Sequence, residues 1–131
     1  MPHAPISWGE LIDKLTILEL KAARLSDPAA LANVRRELAA LAPLEAAAGA
    51  DPRLPALRAA LMEVNAALWD IEDRIREREA AGDFGAAFVE FARSVYRQND
   101  RRAAIKREIS LALGSDLIEE KSYAGRGPTA S

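Results

Sequence analysis

The sequence predicts an all-α protein, a four-helix arrangement built on a long antiparallel helical hairpin. Three observations point there. The chain carries 28 Ala and 16 Leu among its 131 residues while aromatic residues make up only 5%, a composition rich in helix formers and poor in the side chains that favour strands. Its larger apolar residues recur at steps of three and four, the spacing of one helix face. Its Pro and Gly residues stand where helices start and stop, and they leave two uninterrupted stretches of about 27–30 residues, each roughly 40–45 Å long as a helix.

Each element follows from local signals. Ser7 with Glu10 three residues later forms a capping box, with Ile6 placed to staple onto the first turn, so a first helix spans Trp8 to Leu25. Trp8, Leu11, Leu15, Leu18, Ala22 and Leu25 form its buried face. Asp27-Pro28 is an N-cap followed by Pro at the first helical position, and the second helix turns Leu31, Val34, Leu38 and Leu41 to one side. Pro43 ends or interrupts that helix, and the small-residue stretch up to Gly49 is expected to be the least ordered internal segment. Asp51-Pro52 repeats the start signal with Pro55 in the first turn. From there Leu57, Leu61, Val64, Leu68, Ile71 and Ile75 make a seam of coiled-coil regularity. Gly82 and Asp83 end one long helix and cap the next, which runs from Phe84 to Leu113 and buries Phe84, Phe88, Phe91, Val95, Ile105 and Ile109. Gly114 terminates it. The expected organisation is one helical domain over 1–131, ordered from about residue 6 to residue 123, with a frayed Gly/Pro-rich tail over 124–131.

Composition also excludes function classes. The 18 basic and 20 acidic side chains nearly cancel to −2, which argues against a general nucleic-acid binder or an anionic membrane as partner. There is no Cys, hence no disulfide, thiolate zinc site or cysteine nucleophile, and the single His3 rules out a His-based triad or a multi-His metal site. No apolar run approaches the roughly 20 residues of a membrane span, and the opening residues resemble no signal peptide, so a cytoplasmic location is expected. No P-loop, dinucleotide fingerprint or nucleophile elbow occurs.

Three polar groupings remain as candidates. Carboxylates three residues apart on a helix share a face and suit a hard cation such as Mg²⁺; Glu10 with Asp13, and Asp70 with Asp73, are spaced so. Folding the hairpin about Gly82 offers the plainer alternative, with Asp73 opposite Arg93 and Asp70 opposite Arg97 as ion pairs worth about 0–1 kcal/mol each where exposed. In the fourth helix the apolar seam breaks at Gln98 and Arg102. Such a break either fixes register or lines a site, and Tyr96, Asn99, Arg102 and Lys106 are the residues there able to hold an anionic ligand. At the end of the chain Glu119, Glu120 and Tyr123, with Leu117 and Ile118, suggest a segment docked near Glu10 and Asp13.

Four blocks in order, GELIDKLTILELK, LWDIEDRIRE, ARSVYRQNDRRAAIKREI and LGSDLIEEKSY, resemble a family of short bacterial proteins of unknown function found alone or attached to larger proteins. The resemblance covers Ser7 to Tyr123, apart from a connector between Ala42 and Leu57. It implies no activity and no catalytic residue. The leading expectation is therefore a self-associating, non-enzymatic protein-interaction module, a homodimer in its simplest form, with no cofactor and with another protein as a possible partner. The alternative is a small helical enzyme or ligand-binding protein for an anionic substrate. It would be either a Mg²⁺-dependent nucleotide hydrolase or a mutase of the chorismate type.

Overall fold

The computed structural model describes residues 1–115, 117, 118 and 120. Among them the chain forms α1 (Trp8–Arg24), α2 (Pro28–Glu45), a 3₁₀ turn (Ala46–Ala48), α3 (Leu54–Ala80) and α4 (Ala86–Ala112), with no strand. The fold is all-α, and no helix among the described residues is long and apolar enough to cross a membrane.

The helix ends follow the chemistry of their caps. Ser7 accepts from the Glu10 backbone N–H at 3.0 Å and α1 closes at Leu25 in extended backbone. Asp27 accepts from the Ala30 N–H at 2.9 Å and Pro28 occupies the first helical position of α2. Pro43 neither ends nor interrupts α2. A prolyl ring removes one hydrogen bond from the preceding turn, but Ala39 and Ala40 are exposed there, so the loss falls where solvent reaches the chain and costs little. The stretch expected to be least ordered is helical up to Ala48. Asp51 accepts from the Arg53 backbone N–H at 2.9 Å and from its guanidinium, which holds the Asp51 carboxyl down at about 2, and α3 begins at Leu54.

Gly82 takes φ +66°, open to glycine without strain, and so turns the chain out of α3. Asp83 is not the N-cap of α4. Its carboxylate accepts from the Gly85 N–H at 3.1 Å, a turn that keeps 83–85 out of the helix and moves the start from Phe84 to Ala86. The Arg53 guanidinium donates to the Ala112 carbonyl at 3.4 Å, so the start of α3 meets the end of α4.

Packing is uneven along the molecule. α1 contacts α2, α3 and α4, which is why it buries more than one stripe. Ile12, Asp13, Thr16 and Leu20 are buried besides Leu11, Leu15 and Leu18, while Trp8, Ala22 and Leu25 are only half-buried. The core joins Leu11, Ile12 and Leu15 to Leu61, Val64 and Leu68 of α3 and to Ile105 and Ile109 of α4, with Leu38 and Leu41 of α2 against its edge. Beyond it the pattern changes. Between Leu68 and Ile105 no residue is buried. Arg24, the last residue of α1, pairs with Asp70 at 2.7 Å, so residues 71–80 continue for about 15 Å past the end of α1. The expected burial of Phe84, Phe88, Phe91 and Val95 fails there: Phe84 is 58% exposed, and the other three are half-buried. The periodicity was correct, but a two-helix arm has no third helix to cover it.

Leu61→Ala should lose about 2–5 kcal/mol, the cost of a cavity in a closed core. Ile75→Ala should lose under about 1 kcal/mol in the isolated chain, because its site is already partly wet. Urea unfolding at low protein concentration measures both.

Candidate functional site

A ladder of charged groups runs between α1 and α4. One turn of α1 presents Glu10 and Asp13, and one turn of α4 presents Arg102 and Lys106 (the i, i+3 and i, i+4 spacings). Lys106 Nζ donates to Glu10 Oε1. Arg102 grips both oxygens of Asp13, from Nε at 2.9 Å and from Nη2 at 2.5 Å. Asp13 is only 3% exposed, and its charge is offset by that fork and by Asn65 of α3, whose Nδ2 donates to Asp13 Oδ1 and to Thr16 Oγ1, both at 2.9 Å. The Thr16 hydroxyl donates to the Asp13 carbonyl at 2.8 Å. The Asp13 carboxylate raises the Arg102 guanidinium above its ordinary pKa, outweighing the opposing effect of burial. Below the ladder the free amides at the start of α1 are capped from α4 and just beyond it. The Gly9 N–H donates to Ser110 Oγ at 3.0 Å and the Trp8 N–H to Ser115 Oγ at 2.9 Å.

The sequence-derived candidates separate in the structure. Glu10 and Asp13 each face a cation of α4, and among the described residues no group of three or more His, Cys, Asp or Glu is placed to hold a metal ion. Asp70 pairs with Arg24 of α1 at 2.7 Å and Asp73 with Arg76 of its own helix at 3.3 Å, not with Arg97 and Arg93. Arg97 instead reaches Glu90 at 2.9 Å. The geometric expectation placed these residues opposite each other, but same-helix partners lie closer and α1 supplies a cation that counting along two helices omits. Asn99, Arg102 and Lys106 do come together around a shallow depression on α4 of about 250 Å³. Tyr96 does not join them. It is 56% exposed, with the Arg97 guanidinium 5.9 Å from its ring centre. Glu120 pairs with Arg107, while Leu117 and Ile118 line a groove with Ile6 and Glu10. Glu119 and Tyr123 lie outside the described residues.

A cleft of about 440 Å³ lies where α1 ends and the α3–α4 arm begins. Ile17, Leu20, Leu68 and Trp69 give it apolar walls, and its polar lining mixes the cations Lys21, Arg76 and Arg102 with the carboxylates Glu72 and Asp73 and the amides Asn65 and Asn99. The Arg24 guanidinium sits 5.6 Å from the centre of the Trp69 ring, an attraction that holds the indole at the rim. Sequence reasoning missed Thr16, Lys21 and Asn65. Asn65 had a signal, an amide directly beside Val64 in an otherwise apolar seam. Lys21 had none. The other break in the seam, Gln98, leaves its Oε1 buried without a hydrogen-bond partner among the described residues.

A protein-family model described as a family of unknown function, DUF6165, matches residues 3–131, and the chain belongs to that family. The match runs through residues 42–57 as well. No curated protein matches the chain, and no solved structure does.

Arg102→Met strips a buried carboxylate of its charged partner and should cost about 3 kcal/mol. Asp13→Leu/Arg102→Met should lose less than the two single variants together, which a double-mutant cycle by urea unfolding reads directly. Gln98→Met removes the unpartnered oxygen at nearly constant shape and should raise stability by about 1 kcal/mol, seen as a higher melting temperature.

Proposed function

We propose that the chain is a self-associating helical interaction module in which the projecting α3–α4 arms of two copies pair. One observation carries this reading. Both arm helices bear apolar residues at coiled-coil spacing, yet between Leu68 and Ile105 nothing is buried. Ile71, Ile75, Phe88, Phe91 and Val95 are half-buried, and Phe84 and Val89 are exposed at 58% and 43%. Two helices alone cannot enclose such a seam, since each covers only one side of the other. A second pair laid against them completes a four-helix bundle.

Charge favours a second copy as the occupant. Residues 71–80 of α3 hold four acidic and three basic side chains, and residues 86–99 of α4 hold one acidic and two basic. A two-fold arrangement that sets α3 of one copy against α4 of the other brings net signs that oppose. Most of these charges already have partners on their own helix, but Glu79 and Arg93 make no ion pair among the described residues and remain for contacts across the axis.

Sedimentation equilibrium should give a mass rising with concentration from 14.2 kDa to twice that. Ile75→Arg/Phe88→Arg should hold the chain at the monomer mass with its helical circular dichroism unchanged. A wild-type chain that stays monomeric at its solubility limit overturns the proposal, and so does a double variant that still dimerises.

A further inference from the structure

Two paired arms can point the same way or opposite ways, and α1 decides between the two. It packs on both α3 and α4 at their base. Its Leu15 shares a core there with Leu61, Val64 and Leu68, the seam that continues into the arm as Ile71 and Ile75. Arms laid seam to seam in parallel would therefore hold both α1 helices between their bases. At about 8–10 Å per packed helix, two extra layers wedge the bases roughly 16–20 Å further apart than the arms, and contact shrinks to the tips. Arms laid antiparallel avoid this, because each fills the space beyond the end of the other copy's α1.

The overlap follows from the apolar residues. They run the length of the arm, from Ile71 to Phe84 at the tip, which is 58% exposed, so a partial overlap leaves one end bare. The stretch 68–82 is about 21 Å long, and full overlap brings each tip to the base of the partner's arm, against the end of its α1. The cleft of about 440 Å³ opens there, with Leu20, Leu68 and Trp69 as apolar wall. The tip offers a matching group, Phe84 packed edge-on against Phe88 with ring centres 5.1 Å apart. Aromatic rings pack well against an indole such as that of Trp69.

The charges left over on the two surfaces are complementary. In the cleft Glu72 and Asp73 are taken by Arg76, at 3.8 and 3.3 Å, and Arg102 by Asp13. Lys21, half-buried, is the lining charge that makes no ion pair among the described residues. Around the tip Glu77, Asp83 and Glu90 are taken by Arg74, Arg78 and Arg97, while the exposed Glu79 makes none among those residues. Arms that cross at the angles of packed helices carry the α3 tip of each copy, with Glu79, toward α4 and Lys21 of the other.

We propose that the cleft is the receptor for the arm tip of a second copy, which runs antiparallel, seats Phe84 against Trp69 and pairs Glu79 with Lys21. This rests on the pairing of the arms proposed above and adds its direction and its end point.

The chain has no Cys, so single introduced thiols report the direction. Ala81→Cys marks the tip and Ser26→Cys the end of α1, both at exposed positions. Under mild oxidation a mixture of the two variants should form a disulfide-linked dimer at least about fivefold faster than either variant alone. Sedimentation equilibrium should show Phe84→Ala weakening the dimer about tenfold or more, as truncation of a central aromatic anchor does, with circular dichroism unchanged. Lys21→Glu should weaken it about tenfold by setting like charges together, and Lys21→Glu/Glu79→Lys should restore most of the loss. Ala81→Cys cross-linking to itself as fast as the mixture, or a charge swap that restores nothing, overturns the antiparallel docking while the arms still pair. A chain that stays monomeric overturns both readings.

Discussion

Asp13 lies near the start of α1 with 3% of its surface exposed, and an ionised carboxylate in that position needs charge and hydrogen bonds from its surroundings. They come from two other helices, Arg102 of α4 and Asn65 of α3. The pair thus works as a register pin. Apolar contacts among Leu15, Leu61 and Ile109 would tolerate sliding α4 by a turn, but a fork that must meet both oxygens of one carboxylate tolerates none. The break in the α4 seam at Arg102 and the buried acid on α1 are two halves of one feature.

That pin also decides which polar groups are free. A cation whose hydrogen bonds are spent on a neighbouring carboxylate is a poor anion ligand, and this applies to Lys106 with Glu10 and to two of the nitrogens of Arg102. The same network commits the amide nitrogen of Asn65, a side chain that lines the cleft, to Asp13 and Thr16. The interaction that fixes the helices against each other therefore also sets the polarity of the concavity beside them.

Much of the fold was legible from local chemistry. Ser7, Asp27, Gly82 and Gly114 carry their signals within three or four residues, and α1, α2 and the α3–α4 turn fall close to where those signals place them. Two local signals mislead, Pro43 inside α2 and Asp83 before α4; the errors with larger consequences concern partners distant in sequence. Asp13 reads as a surface carboxylate until α4 is docked, because nothing within a turn of it is basic except Lys14, which pairs with Glu37 at 3.1 Å. Asp70 was assigned to the facing helix because counting along a hairpin involves two helices, whereas Arg24 arrives from a third. Periodicity says which side of α4 is apolar, but not whether anything covers it.

The extent of cover is set by the length of α1. Seventeen residues carry it from the caps at Ser110 and Ser115 to the salt bridge at Asp70. A helix one or two turns longer would lie over Ile71 and Ile75 and close the seam within the monomer. The chain instead turns away at Leu25 and restarts at Asp27-Pro28, leaving α2 to pack on the outer side of α1, where it buries only Val34. Apolar residues on the arm are thus kept available while a strong restart signal diverts the one helix that could have covered them. In a chain whose helices are otherwise well capped, a full-length seam with a half-length lid favours a partner for the arm over a loosely packed core.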